Sequence, residues 1–176
     1  MSKKSTDSGP NGGYNPYLVD KLAKIPAWVK CGFMKFWFAG AAFYFCVFGL
    51  PATFDYLDKM VFIVLVMTLG VEYLVIPVIR WMKTDDIDTT KHLPHEVRRR
   101  SILSLLATGL YVLVIVFMID RTLALWSGLG LPTIGDLISE SPADPFSFGF
   151  LFLLFDFIWM QIRSVGKNLG RRKKDV

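Results

Sequence analysis

Four apolar runs, each close to the length of a bilayer crossing, divide this chain of 176 residues: 33–50, 60–81, 101–119 and 146–162. A helix needs about 20 mostly apolar residues, in a usual range of roughly 17–25, to cross a hydrocarbon core. A soluble domain of this size has no use for four separate runs of that length. Phe146, Phe148, Phe150 and Phe152 alternate with the period of a strand, but a lone strand cannot satisfy its backbone in lipid, so this run too is predicted to be helical. The expected fold class is an all-α integral membrane protein with four transmembrane helices.

The basic residues supply an orientation. The 20 Lys and Arg fall in five blocks, six in Lys3–Lys35, Lys59 alone, six in Arg80–Arg100, Arg121 alone, and six in Arg163–Lys174. Cytoplasmic segments retain Lys and Arg whereas translocated segments shed them. This pattern predicts both termini and the loop 82–100 in the cytoplasm, and the segments 51–59 and 127–145 outside. The expected location is the plasma membrane, in a bacterial cell. The net charge of +5 then reflects topology and contact with anionic inner-leaflet headgroups.

Within that frame, residues 1–15 read as a disordered cytoplasmic tail, rich in Ser, Gly, Lys and Asn with no apolar period. Residues 16–32 read as an amphipathic juxtamembrane helix lying in the inner interface, with Tyr17, Leu18, Leu22, Ile25 and Trp28 on one face and a break at Pro26. The bundle proper is expected over 33–162, followed by a mobile basic tail over 163–176. The first apolar run starts too late for a short cleaved leader, so an uncleaved signal anchor is expected. Pro77 should kink the second span. Pro94 has the position of the first residue of a helix running into the third. A short interfacial helix or re-entrant turn is expected over 131–139. Cys31 and Cys46, if on one helix, lie about 22 Å apart and cannot bridge each other.

Two carboxylates, Glu72 and Asp156, fall inside apolar runs, with Lys35 near the start of the first. Ionisable groups at such depth are costly and face a protein interior or a water-filled cavity, which makes these three the intramembrane polar candidates. Each acid should stand roughly 10–12 Å above the inner basic boundary. Several arrangements satisfy them: the acids facing each other, Glu72 pairing with Lys35, Asp156 pairing with Arg163 or Gln161, either acid protonated against a backbone carbonyl, or either docking a basic residue of a partner helix. Ser101, Ser104, Ala107 and Thr108 make a small, weakly polar face on the third span, suited to close helix packing. Arg98, Arg99 and Arg100, with Arg171, Arg172, Lys173 and Lys174, are the candidates for lipid or phosphate contact.

The loop carrying Asp86, Asp88, His92, His95 and Glu96 resembles a ligand set only superficially. Pro94 separates the histidines, so they do not share a preformed helix face. It reads as a solvated loop, and neither metal nor cofactor is expected. Without a nucleophile–base pair, a phosphate-binding loop or a Cys/His cluster, the chain lacks the usual equipment of an enzyme. The expected function is that of a non-enzymatic accessory or assembly subunit of a larger membrane complex. The alternative is a small oligomeric ion- or proton-coupled transporter or channel using Glu72 and Asp156. The expected partners are other membrane subunits or further copies of the chain, besides the bilayer itself. A ribosome or other nucleic acid is a weaker candidate, because no aromatics interleave with the terminal basic cluster.

Overall fold

The computed structural model describes residues 25–51, 53–82, 89–96, 101–131 and 144–172, the last five of these by their backbone alone. Its long elements are four helices: α1 (Ala27–Phe48), α2 (Tyr56–Trp81), α3 (Ile102–Gly128) and α4 (Pro145–Arg172). All four are long and apolar enough to cross a membrane, and the described residues contain no strand. At 22 residues, α1 alone measures about 33 Å. Packing runs α1 on α2, α2 on α3, α3 on α4 and α4 back on α1, so the helices form a closed ring of neighbours. We call the end holding the start of α1 and the finish of α4 the basic end, after Lys30, Arg80, Lys91, Arg163 and Lys167.

Helix starts follow local chemistry. Asp55 caps α2, its side chain accepting from Asp58 N at 2.8 Å. Asp144 caps α4, its Oδ1 accepting from Phe146 N at 2.6 Å and Ser147 N at 2.8 Å. Both acids complement the positive end of the helix they begin. Ser101 caps α3, accepting from Ser104 N at 3.3 Å. Pro94 therefore begins no helix: residues 93–96 are non-helical. Ala27–Gly32 are not a separate juxtamembrane helix either, but the first turns of α1, entered from Pro26. Likewise α3 runs past Ile119 to Gly128, because Asp120 is satisfied where it stands, accepting from Tyr56 Oη and pairing with Arg121 at 2.8 Å. Residues 163–172 continue α4 rather than forming a tail. Residues 1–24, 132–143 and 173–176 lie outside the described residues, and with them the expected tail, most of the juxtamembrane helix and the outer turn.

The core is one cluster drawn from every span, with Ile63, Met67, Tyr111, Ile115, Ile119, Phe148 and Phe152 all buried. Phe43 stacks on Phe148 with ring centroids 4.6 Å apart. Large apolar side chains such as Leu106, Leu110, Leu113 and Phe117 point outward and are exposed. Helices apolar on their outer face as well as their inner one suit lipid rather than water.

Close approach of α1 and α4 depends on two glycines. A Cβ at Gly40 would stand 2.9 Å from the Pro145 carbonyl oxygen, and one at Gly149 would stand 2.8 Å from that of Phe36. Gly40 and Phe36 are one turn apart on α1, as are Pro145 and Gly149 on α4, so a single complementary turn pins the antiparallel pair. Membrane helices commonly use small residues in this way.

Candidate functional site

Helix α2 carries one irregularity, and a carboxylate sits in it. Residues Val71–Val75 form a π turn in which the N–H of Ile76 reaches back to the Val71 carbonyl. Pro77 follows directly and has no N–H to give to the carbonyl four residues earlier, so the widened turn takes up the break. The expected proline distortion thus lies one turn ahead of Pro77, and it presents Glu72 to α3. There Glu72 Oε1 accepts from Ser104 Oγ at 2.7 Å and Oε2 from Thr108 Oγ1 at 2.7 Å. Glu72 is 4% exposed, so this hydroxyl pair replaces the solvation it has lost.

Asp156 lies elsewhere. Its Oδ2 meets Lys35 Nζ at 2.5 Å and its Oδ1 accepts from Tyr111 Oη at 2.6 Å. Both ion-pair side chains are only 3% exposed. The register of the glycine contact sets Asp156 nearer the basic end than Lys35. Side chains on a helix tilt toward its N-terminus, and for α1 that is the basic end, so the lysine reaches down to the acid. Both acids are paired within the chain, but with partners other than those expected. The acids do not face each other, Lys35 pairs with Asp156 rather than Glu72, and Arg163 turns to the loop. Helix α3 stands between the two acids. Ser104, Thr108 and Tyr111 recur at i, i+4 and i+7 along it, so one stripe serves both.

The segment 89–96 closes the basic end. Thr89 and Leu93 are 1% and 6% exposed, which corrects the expectation of a solvated loop. Each span holds it. Thr89 Oγ1 donates to the Ile79 carbonyl of α2 at 2.7 Å. The carbonyls of His92, Leu93 and Pro94 accept in turn from Lys35 of α1 at 2.9 Å, from Arg163 of α4, and from Trp159 Nε1 of α4 at 3.1 Å. The His95 ring meets α3, with Nε2 at 2.7 Å from Thr108 Oγ1 and 3.7 Å from Glu72 Oε2. Because the Thr108 hydroxyl gives its proton to Glu72, Nε2 is the donor to Thr108. Non-helical backbone packed against other elements needs its buried polar groups matched inside the protein, and the carbonyls of His92, Leu93 and Pro94 are.

Burial pushes the His95 imidazole below its ordinary pKa. The Glu72 carboxylate opposes this, and the Arg163 and Arg80 guanidiniums add to it. Its Nδ1 is buried with no hydrogen-bond partner among the described residues. At the rim, a hydrogen bond from Lys167, with Arg163 close by, holds the exposed Glu96 carboxyl below its usual range.

Of the packing candidates, Ser104 and Thr108 are buried and bonded to Glu72, Ala107 is half-buried, and Ser101 is exposed as a cap. The side chains of Arg171 and Arg172, and all of Arg98, Arg99, Arg100, Lys173, Lys174, Asp86 and Asp88, fall outside what the structure describes. Among the described residues, no group of three or more His, Cys, Asp or Glu side chains is placed to hold a metal ion. Sequence reasoning misses Tyr111 and Trp159, and reads His95 only as part of a solvated loop. Tyr111 had a signal, since it extends the Ser104–Thr108 stripe by one turn, whereas the roles of His95 and Trp159 depend on where the loop docks.

The fold and site together define a four-span, all-helical membrane-embedded protein with an internal ion pair and a docked interhelical loop. No protein family, no curated protein and no solved structure matches this chain.

Proposed function

We propose that this chain is a non-enzymatic accessory or assembly subunit of a larger membrane complex, set in the bacterial plasma membrane with both termini in the cytoplasm. The observation that carries the reading is the way the intramembrane acids are used. Asp156 is occupied by Lys35 and Tyr111, and Glu72 by Ser104 and Thr108. Acids matched within one chain fasten its helices together, whereas acids that carry ions must exchange partners with a water-filled path. Docking of 89–96 against all four spans closes the basic end and argues in the same direction. The outward-facing apolar surfaces of α1–α4 then remain for lipid and for neighbouring subunits. The test is extraction from native membranes in a mild, lipid-retaining detergent, with everything that co-purifies identified at low and high salt. A defined assembly with other membrane proteins is the expected result. Recovery of the chain alone, as monomer or homo-oligomer, overturns the reading.

One observation favours proton-coupled transport as a second reading. The His95 Nδ1 has no partner among the described residues, and the ring stands between the basic end and Glu72. Proteoliposome flux that disappears in Glu72→Gln and Asp156→Asn with folding intact would establish this alternative.

A further inference from the structure

Below the Gly149–Phe36 contact, α1 and α4 leave between them a groove of about 860 Å³ that opens toward the basic end. This volume lies in the range of roughly 300–1,000 Å³ typical of small-molecule sites. Its walls are apolar. Trp28 and Phe33 of α1 and Phe157 of α4 line it and are themselves well exposed, so the groove is open sideways, to the surface that faces acyl chains. Its mouth is cationic, formed by Lys91, Arg163 and Lys167. Among the described residues that line it, the one acid, Asp156, is held by Lys35, and beside the mouth a single carboxylate, Glu96, is shared by Arg163 and Lys167, so three cations meet one acid there.

The geometry points to an anionic phospholipid as the groove's occupant, with its phosphate at Lys91, Arg163 and Lys167 and an acyl chain along Trp28, Phe33 and Phe157. Donors are available at the mouth. Lys91 has no partner among the described residues. Lys167 gives one bond to Glu96 out of three N–H groups, and Arg163 serves the Leu93 carbonyl and Glu96 out of five. Arginine and lysine together suit a phosphate, which takes planar forks and point charges alike. A soluble anion would leave the apolar walls unused, and a neutral lipid would leave the positive excess of the mouth, three cations against Glu96, unmatched; an anionic lipid uses both. The inference stands on groove and rim alone, independently of whether the chain has protein partners.

Gly32 makes a clean test. It lines the groove, yet a Cβ there meets nothing within 4 Å, so Gly32→Leu fills the space without disturbing a helix contact. The full chain, purified in detergent, is titrated with phosphatidylglycerol or with phosphatidylcholine of identical chains, and retained lipid is counted by native mass spectrometry. The expected result is one phosphatidylglycerol held at least about tenfold more tightly than phosphatidylcholine, a loss of that retention in Gly32→Leu, and a loss of the headgroup preference in Lys91→Gln/Lys167→Gln. Equal retention of the two lipids by the native protein overturns the proposal. So does wild-type retention in Gly32→Leu, or a preference unchanged in the double glutamine variant.

Discussion

The Lys35–Asp156 pair gives the sharpest test of how this bundle is held together. At 2.5 Å, and with an effective dielectric near 20, two unit charges attract by about 7 kcal/mol. Desolvating both offsets most of this, so the pair's net contribution is small, while either charge left alone is costly. Asp156→Asn leaves a buried ammonium facing a neutral amide, and Lys35→Met leaves a buried carboxylate with only the Tyr111 hydroxyl. Each single change is expected to destabilise by about 3–5 kcal/mol. The double variant should recover most of that loss. Its new side-chain amide still accepts from Tyr111 through the oxygen, and no buried charge is left without its counter-charge. The double variant is expected within about 2 kcal/mol of the native protein, a coupling of at least about 4 kcal/mol between the sites. Reversible unfolding of all four proteins in mixed detergent micelles measures the cycle. Single variants costing under about 1 kcal/mol each, and adding in the double, would refute the reasoning, because that is how a solvated pair behaves.

Other perturbations probe the remaining contacts. Gly149→Ala and Gly40→Ala each force α1 and α4 apart against a carbonyl oxygen that cannot step aside, and should cost about 1–3 kcal/mol in the same assay. Gly32→Ala, facing open space, should be neutral or stabilise by up to about 1 kcal/mol, and a loss like that at Gly149 would contradict the packing described. Tyr111→Phe removes one interhelical hydrogen bond and should cost about 0.6–1.7 kcal/mol, well short of the effect of removing a charge. Burial holds the folded His95 imidazole below its unfolded value of 6.5, so its contribution is complete above that pH and is lost as pH falls through the lower folded value. Hydrogen exchange over 89–96 should therefore quicken on acidification in the native protein and lose this pH dependence in His95→Gln. An unchanged profile in the variant would assign the effect to other groups. Cys31 and Cys46 are free and almost wholly buried, so both should resist a polar maleimide until the bundle unfolds.

The all-helical class and the four spans were legible in the chain itself, because the hydrocarbon core sets the length of an apolar run and lipid admits only a helix there. So was the placement of Glu72 and Asp156 within apolar helices, since the runs that contain them are uninterrupted in the chain. Helix ends were read less well. The third apolar run stops at Asp120, but that acid finds partners in Tyr56 and Arg121, so α3 extends beyond it, and α1 begins at Ala27, ahead of the first run, and takes in Lys30. Which acid meets which cation could not be read at all. That choice depends on which helix faces which and in what register, and here Gly40 against Pro145 and Phe36 against Gly149 fix the register that brings Lys35 down to Asp156. The loop 89–96 gives the clearest contrast. Its composition is that of a solvated segment, and only tertiary structure reveals that three of its carbonyls and one ring are taken up by α1, α3 and α4. The sequence by itself determined which helices are long and apolar enough to cross a membrane and which charges fall within them, since both follow from local hydrophobicity and helical rise. Tertiary structure alone decided the pairing of those charges and the closing of the basic end, since both require groups far apart in the chain to meet within hydrogen-bonding distance.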